Sequence, residues 1–417
     1  MRRDGRLRTG LALCALAITS MATACGSDGG GSGTPTLNWY AFNEPGGAYD
    51  QAVAECNEEA NGRYKIVYQK LPTDANQQRE LIVRRLAAED DSIDIIGMDV
   101  IWTAELAEAG WILPWKGERE RVAKDGKLEG PLKTVEYKGV VYGLPFTSNT
   151  QLLWYRKDEV PNPGDEVTWD ELIETAAEKG KSIEVQSAQY EGLTVWINAL
   201  IAGAGGQIVD QAGDVKVDAS AKDAATIESK LANSPAAPPG MSTNKEDEAR
   251  IGFESDRSIY EINYPFVYPS AEGVSKEFQK NMGWARYPRT LPDKPSRPPL
   301  GGINLGISAY SNNPDAAFDA AECLASDDHQ VAAAVKGGLP PTTESVYDNP
   351  EVKKAYPFSD LLRTSIDDAA PRPVTPAYND ISLAIQKTFH PPDGVEPDGI
   401  EDKLRERLDK AAEGKIF

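Results

Sequence analysis

Short apolar runs alternate with amphipathic stretches through the N-terminal part of the chain. The apolar and aromatic runs that predict strands are residues 36–41 (TLNWYA), 64–69 (YKIVYQ) and 94–98 (DIIGM). The stretches with helical periodicity are residues 48–57, 74–88 and 102–109. Thr73 or Asp74 can cap the second of these helices, and Gly110 can end the third. This alternation favours an open α/β sheet.

Both kinds of element recur through the rest of the chain. Thr168 and Glu171 form a capping box, which predicts a helix from there to about residue 178. Further strands are expected at residues 137–145 (a hairpin that turns at Gly139), 151–156, 258–268 and 302–309. Further helices are expected at residues 193–202, at 315–325 and in most of the chain from 360 onward. The composition of 215–245 predicts a surface helix and loop, and prolines predict a loop at 288–299.

The chain is long and acidic. Its 417 residues exceed the ~250–300 over which a single hydrophobic core usually keeps growing, so we expect two lobes. The formal net charge is −21 at pH 7, and no basic run interrupts the acidic body. Phosphate backbones would be repelled by such a surface, so we expect no nucleic-acid partner.

Residues 1–24 have the parts of a secretory signal peptide. Arginines precede an apolar run at 11–21, and the small residues 22–24 (ATA) precede Cys25. The apolar run is far shorter than the roughly 20 residues of a membrane-spanning helix. Cys25 in this setting resembles the lipidated cysteine of a bacterial lipobox, and an ordinary cleaved signal is the alternative. Residues 25–36 are rich in Gly and Ser, and we expect them to form a lipidated, flexible tether.

The four cysteines of the chain have different expected fates during export. Cys14 would leave with the signal peptide and Cys25 would be acylated, so that Cys56 and Cys323 remain. An exported protein folds where disulfides are permitted, and we predict that these two cysteines pair. Two buried free thiols are the alternative.

Four segments resemble the family 1 extracellular solute-binding proteins of ABC sugar importers. They are residues 143–158 (GLPFTSNTQLLWYRKD), 168–173 (TWDELI), 205–208 (GGQI) and 337–341 (GGLPP). Within that family, the chain resembles the trehalose-binding lipoproteins of mycobacteria. The shared segments are residues 97–105, 150–155, 301–305 and 368–376, and Cys56 and Cys323 also stand where those proteins have a pair.

The resemblance implies an α/β fold of the two-lobe, periplasmic-binding-protein-like kind, with open sheets and a hinge of crossing segments. Lobe 1 would contain about residues 37–146 and 301–345, and lobe 2 about 147–300 and 346–417. A disaccharide, with trehalose expected first and maltose-type or other glucosides as the alternative, would be captured by lobe closure and passed to a membrane permease. The resemblance further implies a monomer without cofactor or metal, held by its lipid on the outer face of the cell membrane.

The resemblance also implies that a set of polar and aromatic residues faces the sugar. They are Asp99, Asn149, Glu246, Tyr264 and Arg372, with Asn43, Trp102 and Gly302 as further candidate contacts. Carboxylates can accept hydrogen bonds from two neighbouring hydroxyls, an amide both donates and accepts, and a guanidinium offers a rigid fork of donors. An aromatic ring can cover the apolar C–H face of a sugar.

Each of the main candidates also has a purely structural interpretation. Asp99 could cap a helix, and Asn149 could form an Asx turn. Glu246 lies in the charged run 244–248, which could be a solvated surface, and Arg372 could form a structural salt bridge. Position supports Asp99 independently of the resemblance. It follows a predicted parallel strand, and open α/β sheets bind ligands beyond the carboxyl ends of their strands.

Two other functional classes remain open. An exported glycoside hydrolase could use Asp99 and Glu246 as acid and base, although nothing in the sequence sets the distance between them. A surface adhesion module would bind a polymer without closing. Only His329 and His390 are present, so a Ser-His-Asp triad or a zinc site is poorly supplied, and we expect no enzyme activity.

Overall fold

The structure is a computed structural model that describes residues 33–72, 74–210, 213–412 and 414. The described residues from Thr34 onward form one unit. The predicted signal peptide, the lipidation site Cys25 and the tether up to residue 32 lie outside the described residues. Among the helices that are described, none combines the length and the apolar character that crossing a bilayer requires.

The first sheet, sheet 1, has five strands in the order β2-β1-β3-β11-β6. They are β1 (Thr36–Phe42), β2 (Lys65–Leu71), β3 (Ile95–Asp99), β6 (Leu144–Asn149) and β11 (Gly301–Ile307). The strands β2, β1 and β3 are parallel, and β11 is antiparallel to both β3 and β6. The apolar runs at the start of the chain therefore form the parallel part of a mixed sheet, as their composition predicted.

The second sheet, sheet 2, has the order β10-β7-β9-β8. Its strands are β7 (Leu152–Arg156), β8 (Ser182–Glu184), β9 (Ser258–Asn263) and β10 (Met282–Ala285). A small hairpin joins β4 (Glu136–Tyr137) to β5 (Val140–Val141) and turns at Gly139, whose positive φ of 75° suits glycine. The chain passes from sheet 1 to sheet 2 between β6 and β7 and returns between β10 and β11. The expected lobe boundaries stay predictions.

Helices cover the two sheets. They are α1 (Ala48–Glu59), α2 (Ala75–Ala87), α3 (Thr103–Glu108), α4 (Glu118–Lys124), α5 (Glu129–Val135), α6 (Trp169–Glu178), α7 (Glu191–Gly203), α8 (Ala219–Ala232), α9 (Glu246–Glu254), α10 (Val267–Val274), α11 (Lys276–Asn281), α12 (Pro314–Leu324), α13 (Asp327–Gly337), α14 (Pro350–Ala355), α15 (Ser359–Asp367), α16 (Tyr378–Phe389) and α17 (Ile400–Ala412). Short 3₁₀ helices are at Met241–Thr243, Glu344–Asp348 and Pro392–Gly394.

Local capping explains where two helices begin. The Thr168 hydroxyl accepts a hydrogen bond from the Glu171 backbone N–H (3.3 Å), and the Glu171 carboxylate accepts one from the Thr168 N–H (2.8 Å). This capping box opens α6 as the sequence predicted. Asp74 caps α2 by accepting from the Gln77 N–H at 3.1 Å, and such a cap is worth about 1 kcal/mol.

Each sheet has its own apolar core. Trp39, Tyr49 and Phe146 are fully buried in the cluster that α1 and α12 form with sheet 1. Trp169, Trp196 and Phe389 lie in the cluster that joins sheet 2 to α6, α7, α8, α16 and α17. The C-terminal helices therefore belong to the sheet 2 side.

Two expectations from the sequence were wrong in detail. The strand expected at 258–268 ends at Asn263, and Val267–Val274 is a helix instead. β9 is buried along its whole length, because it lies between β7 and β8 and both of its faces are covered. The helix in 215–245 is not a plain surface helix, since its face with Ala221, Ala224 and Leu231 belongs to the sheet 2 core.

Cys56 in α1 and Cys323 in α12 are joined in the structure. Their sulfur atoms lie 2.01 Å apart and their Cα atoms 5.9 Å apart, and the bond closes a loop with a sequence separation of 267. The bond fastens two helices of the sheet 1 core at positions far apart in the chain.

Candidate functional site

The carboxyl ends of three strands meet at one edge of sheet 1. Asp99 is the last residue of β3, Asn149 is the last residue of β6, and the exposed Asn43 directly follows β1. The alignment follows from register, because Ile303 of β11 pairs with Asp99 on one side and with Thr147 on the other. The edge is therefore rich in hydrogen-bonding side chains, as the strand-end position of Asp99 predicted.

Arg372 links this edge to the helices that cover sheet 2. Its Nη2 donates to Oδ1 of Asp99 at 3.1 Å, and its Nη1 donates to Oε1 of Glu191 at 2.7 Å. Glu191 is the first residue of α7, which packs into the sheet 2 core. Only 4% of the Arg372 side chain is exposed. Burial acts to lower the pKa of Arg372, but Asp99, Tyr378 and Glu191 raise it above its ordinary value, so the guanidinium stays charged.

Two hydroxyls from α16 complete the surroundings of Glu191. The Tyr378 hydroxyl donates to Oε1 of Glu191, and the Ser382 hydroxyl donates to Oε2 at 2.6 Å. The carboxylate also lies at the N-terminal end of α7, where the helix dipole favours a negative charge. Glu191 is therefore held firmly on the sheet 2 side.

Glu246 and Tyr264 approach the same place from sheet 2. Tyr264 directly follows β9, and Glu246 opens α9, whose first carbonyl accepts from the Asn263 side chain at 2.9 Å. Burial raises the pKa of Glu246, while the nearby Tyr190 hydroxyl opposes the rise. Burial also raises the pKa of Tyr264; the Glu246, Asp99 and Glu191 charges add to this rise, and Arg372 opposes it.

Three of the residues that the family resemblance implied, Asp99, Glu246 and Arg372, influence the pKa of a fourth, Tyr264. Arg372 in addition joins Asp99 at the edge of sheet 1 to Glu191 on the sheet 2 side. The arrangement offers carboxylate acceptors, guanidinium donors and a phenol within a single region, which is the mixture that a polyhydroxylated ligand needs.

The other candidates have local partners in the structure. Oδ1 of Asn149 accepts from the N–H of the next residue, Thr150, at 3.1 Å. An Asx turn would instead engage the N–H two residues on, so this contact is not the turn considered as its alternative. Only 3% of Trp102 is exposed, and it lies in the apolar cluster with Ile96, Met98 and Leu106. Both residues lie near the edge of sheet 1 that carries Asp99.

Gly302 contributes through its backbone. Its φ is +140°, and a Cβ atom at this position would lie 2.3 Å from the carbonyl oxygen of Thr147. Its own carbonyl accepts from the Val100 N–H at 3.2 Å, directly beyond Asp99. Glycine here lets β11 approach β6 and supports the turn that carries Asp99.

Sequence reasoning missed Glu191 and a second contact between the two sides. The Lys245 ammonium of the α9 cap lies 3.9 Å from Oδ2 of Asp74, the cap of α2, and both side chains are partly exposed. Such a pair is worth at most about 1 kcal/mol. An acidic residue in the first turn of an apolar helix was the one available signal for Glu191. That signal indicates a favourable helix dipole and does not point to Arg372.

Potential metal ligands come together at Cys56, Cys323 and His329 within the described residues. The sulfurs form the disulfide, Nδ1 of His329 lies 2.7 Å from the Cys323 carbonyl oxygen, and its Nε2 lies 3.1 Å from the Glu55 carboxylate. The two sulfurs and both ring nitrogens of His329 thus have partners within the protein, and this group lies away from Arg372.

Residues 41–331 match the family of bacterial extracellular solute-binding proteins. The chain belongs to this family. A probable ABC transporter-binding protein of Deinococcus radiodurans is 26% identical over 368 residues, which are 82% of this chain and 86% of that protein. The family consists of binding proteins rather than enzymes, and it gives no support to the hydrolase alternative.

Two solved structures share the fold. Maltose-bound MalE3 of T. maritima has a TM-score of 0.80 and 24% identity, and the match covers 92% of this chain and all of that one (100%). The GacH receptor of Streptomyces glaucescens has a TM-score of 0.76 and 22% identity, with 92% and 100% covered. The predicted two-lobe, periplasmic-binding-protein-like α/β fold is confirmed.

Proposed function

We propose that the chain is the extracellular substrate-binding lipoprotein of an ABC sugar importer and that it captures a disaccharide by closing its lobes. The observation that carries this proposal is the double pairing of Arg372, with Asp99 at the edge of sheet 1 and with Glu191 on α7. A ligand at this place would touch both lobes at once.

The chemistry of the site suits a sugar. Asp99 and Glu246 can accept from neighbouring hydroxyls, Arg372 can donate to ring and hydroxyl oxygens, and Asn149 could do both. Hydrogen bonds to charged groups are roughly twice as strong as neutral ones, so a few of them can replace the hydration of several hydroxyls. Tyr264 adds a flat apolar face with a polar edge. Asn43, Trp102 and Gly302 stay predicted contacts.

Lobe closure follows from a ligand that bridges the two sides. Contacts to both lobes form together only in the closed state, so the ligand binds that state better and shifts the population toward it. A permease that recognises the closed form would then receive the sugar intact. No covalent bond is made or broken in this cycle.

The same proposal includes the location. The N-terminal sequence supports a lipid on Cys25 and a tether that ends where β1 begins at Thr36, one residue short of the expected bound. The body would be a monomer on the outer face of the cell membrane. Labelling of growing cells with an alkyne fatty acid should mark the protein. A Cys25→Ser variant should lose the label and the membrane association, and a label that persists would contradict this site of attachment.

Trehalose is the first ligand to test, because the sequence resembles trehalose-binding lipoproteins in four segments. Maltose-type and other glucosides form the alternative, since the similar structures include one named for bound maltose and one for acarbose. Both ligand types carry many hydroxyls.

A thermal-shift panel of disaccharides tests the ligand. A sugar present at about 100 times its Kd should add about 2.7 kcal/mol to the free energy of unfolding. Trehalose should give the largest shift among trehalose, maltose, sucrose and lactose. A shift with maltose alone would replace trehalose, and no shift with any sugar would refute the proposal. Release of monosaccharide during the incubation would indicate the hydrolase instead.

A further inference from the structure

Glu191 was implied by neither the sequence nor the family resemblance, yet it holds one arm of the Arg372 fork. We propose that Glu191 is a positioning residue that aims Arg372 at Asp99 and so sets the balance between open and closed lobes before any sugar binds. This inference rests on the proposed function and adds to it an ion pair that favours the closed lobes in the absence of sugar.

Glu191 and Arg372 lie on the same side of the site. Glu191 accepts from Tyr378 and Ser382 of α16, and α16 packs against α7. The Arg372 segment is tied to α7 as well, because the Asn198 side chain donates to the Pro371 carbonyl at 3.3 Å. Opening the lobes would therefore move Glu191 and Arg372 together.

Opening of the lobes must break the contact between Arg372 and Asp99. Asp99 lies on β3 of the other lobe, and 26% of its side chain is exposed compared with 14% for Glu191. Its Oδ1 also accepts from the Ile101 N–H at 3.2 Å, so Arg372 shares this oxygen. The two ion pairs of Arg372 thus differ. The pair with Glu191 is more buried and lies within one lobe, and the pair with Asp99 is more accessible and crosses between the lobes.

Holding an arginine side chain in place has an entropic cost, because a free arginine has many rotamers to lose when it is fixed. Glu191 fixes the side chain in advance, so that the bond to Asp99 forms at a smaller entropic cost. Without Glu191, Arg372 would still be present but would reach Asp99 in only a fraction of its conformations.

The experiment measures lobe closure without sugar. Single-molecule fluorescence transfer between dyes on Asp315→Cys and Asp398→Cys would report the distance between lobes, because these side chains are 97% and 93% exposed and lie on opposite sides. Glu191→Gln and Arg372→Gln should each lower the closed-to-open ratio, by about tenfold for the loss of one charge-assisted hydrogen bond. Higher salt should lower the ratio of the parent protein in the same direction.

A double variant separates positioning from general structural support. If Glu191 acts through Arg372, the double variant Glu191→Gln/Arg372→Gln should have a closed-to-open ratio no lower than that of Arg372→Gln alone. Losses that add, or an unchanged ratio in a folded Glu191→Gln protein, would overturn the proposal. Asp74→Asn is the matched control, since it keeps the α2 cap, removes the exposed pair with Lys245 and should change the ratio little.

Two further measurements keep the result interpretable. If Glu191→Gln does not fold, Ser382→Ala removes one donor to Glu191 and should lower the closed-to-open ratio partially, while an unchanged ratio would refute the role. Sugar binding is followed separately by calorimetry. A protein that binds no sugar but shows these closure changes refutes the proposed function alone, and sugar binding with unchanged closure refutes the role of Glu191 alone.

Discussion

Glu184 and Glu261 occupy paired positions on the neighbouring strands β8 and β9, and both carboxyl groups are buried. Glu184 accepts from the Ser258 hydroxyl at 2.5 Å and from the Asn244 amide at 3.1 Å, and Glu261 accepts from the Asn263 amide at 2.6 Å. Burial raises the pKa of Glu184 to about 7 and that of Glu261 to about 8. Sheet 2 therefore contains two acids that are protonated in the fold at a pH where the unfolded chain has released its protons.

This pair should make the free energy of unfolding fall as the pH rises from about 4.5 to about 8. In that window the folded state binds more protons than the unfolded state, in which the carboxyls keep their ordinary pKa, so the slope is negative. Each group can contribute up to about 1.4 kcal/mol per pH unit. Urea unfolding at pH 5, 6, 7 and 8 measures the slope. Glu261→Gln keeps the shape without the charge and should flatten it, and an equal slope in both proteins would contradict the assignment.

A substitution at Gly302 should be far more costly than the same substitution next to it. A Cβ atom on Gly302 would meet the Thr147 carbonyl oxygen at 2.3 Å, and its φ of +140° disfavours any other residue. Gly302→Ala should therefore lose at least about 2 kcal/mol of unfolding free energy. Gly301→Ala is the control, because its Cβ would meet only ordinary contacts from 3.5 Å onward. Similar urea midpoints for the two variants would show that this close approach does not occur.

The disulfide should be a major source of stability. Its loop has a sequence separation of 267, and cross-links of long loops typically contribute about 2–4 kcal/mol. A Cys56→Ser/Cys323→Ser variant should unfold at correspondingly lower urea than the parent. Thiol titration of the denatured, unreduced mature protein is the direct check, and it should detect no thiol from either cysteine. Two reactive thiols there would restore the alternative of free cysteines.

The sequence predicted the fold well where a local pattern carries the information. Buried parallel strands such as β1 and β3 are marked by short apolar runs, and α6 is marked by its capping box. β9 was harder, because a short strand with Glu261 and Asn263 beside its apolar residues does not show how many elements will cover it. Glu261 is buried because elements such as α9 pack against β9, and that packing cannot be inferred from the residues of β9 alone.

The group of side chains around Arg372 was predictable to a similar extent. Asp99 could be inferred from its position at a strand end, and the family resemblance added Arg372, Tyr264 and Glu246. Glu191 could not be inferred, since it lies 181 residues from Arg372 and meets it only after α7 and α16 pack together. Interactions between distant segments depend on the whole fold, so local pattern alone does not reveal them.

Replacement of Asp99 tests the centre of the proposed site. Asp99→Ala removes the acceptor that Arg372 contacts across the lobes, and sugar affinity should fall at least about 100-fold, because a charged acceptor is lost and the buried Arg372 loses one of its two carboxylate partners. The fold should change little, because Arg372 keeps its bond to Glu191 and Asp99 lies at the end of its strand. Asp315→Ala makes the same substitution at an exposed position of the same lobe and should leave affinity unchanged. Calorimetric titration with the sugar from the thermal-shift panel compares the two, and an unchanged affinity in Asp99→Ala would remove this residue from the site.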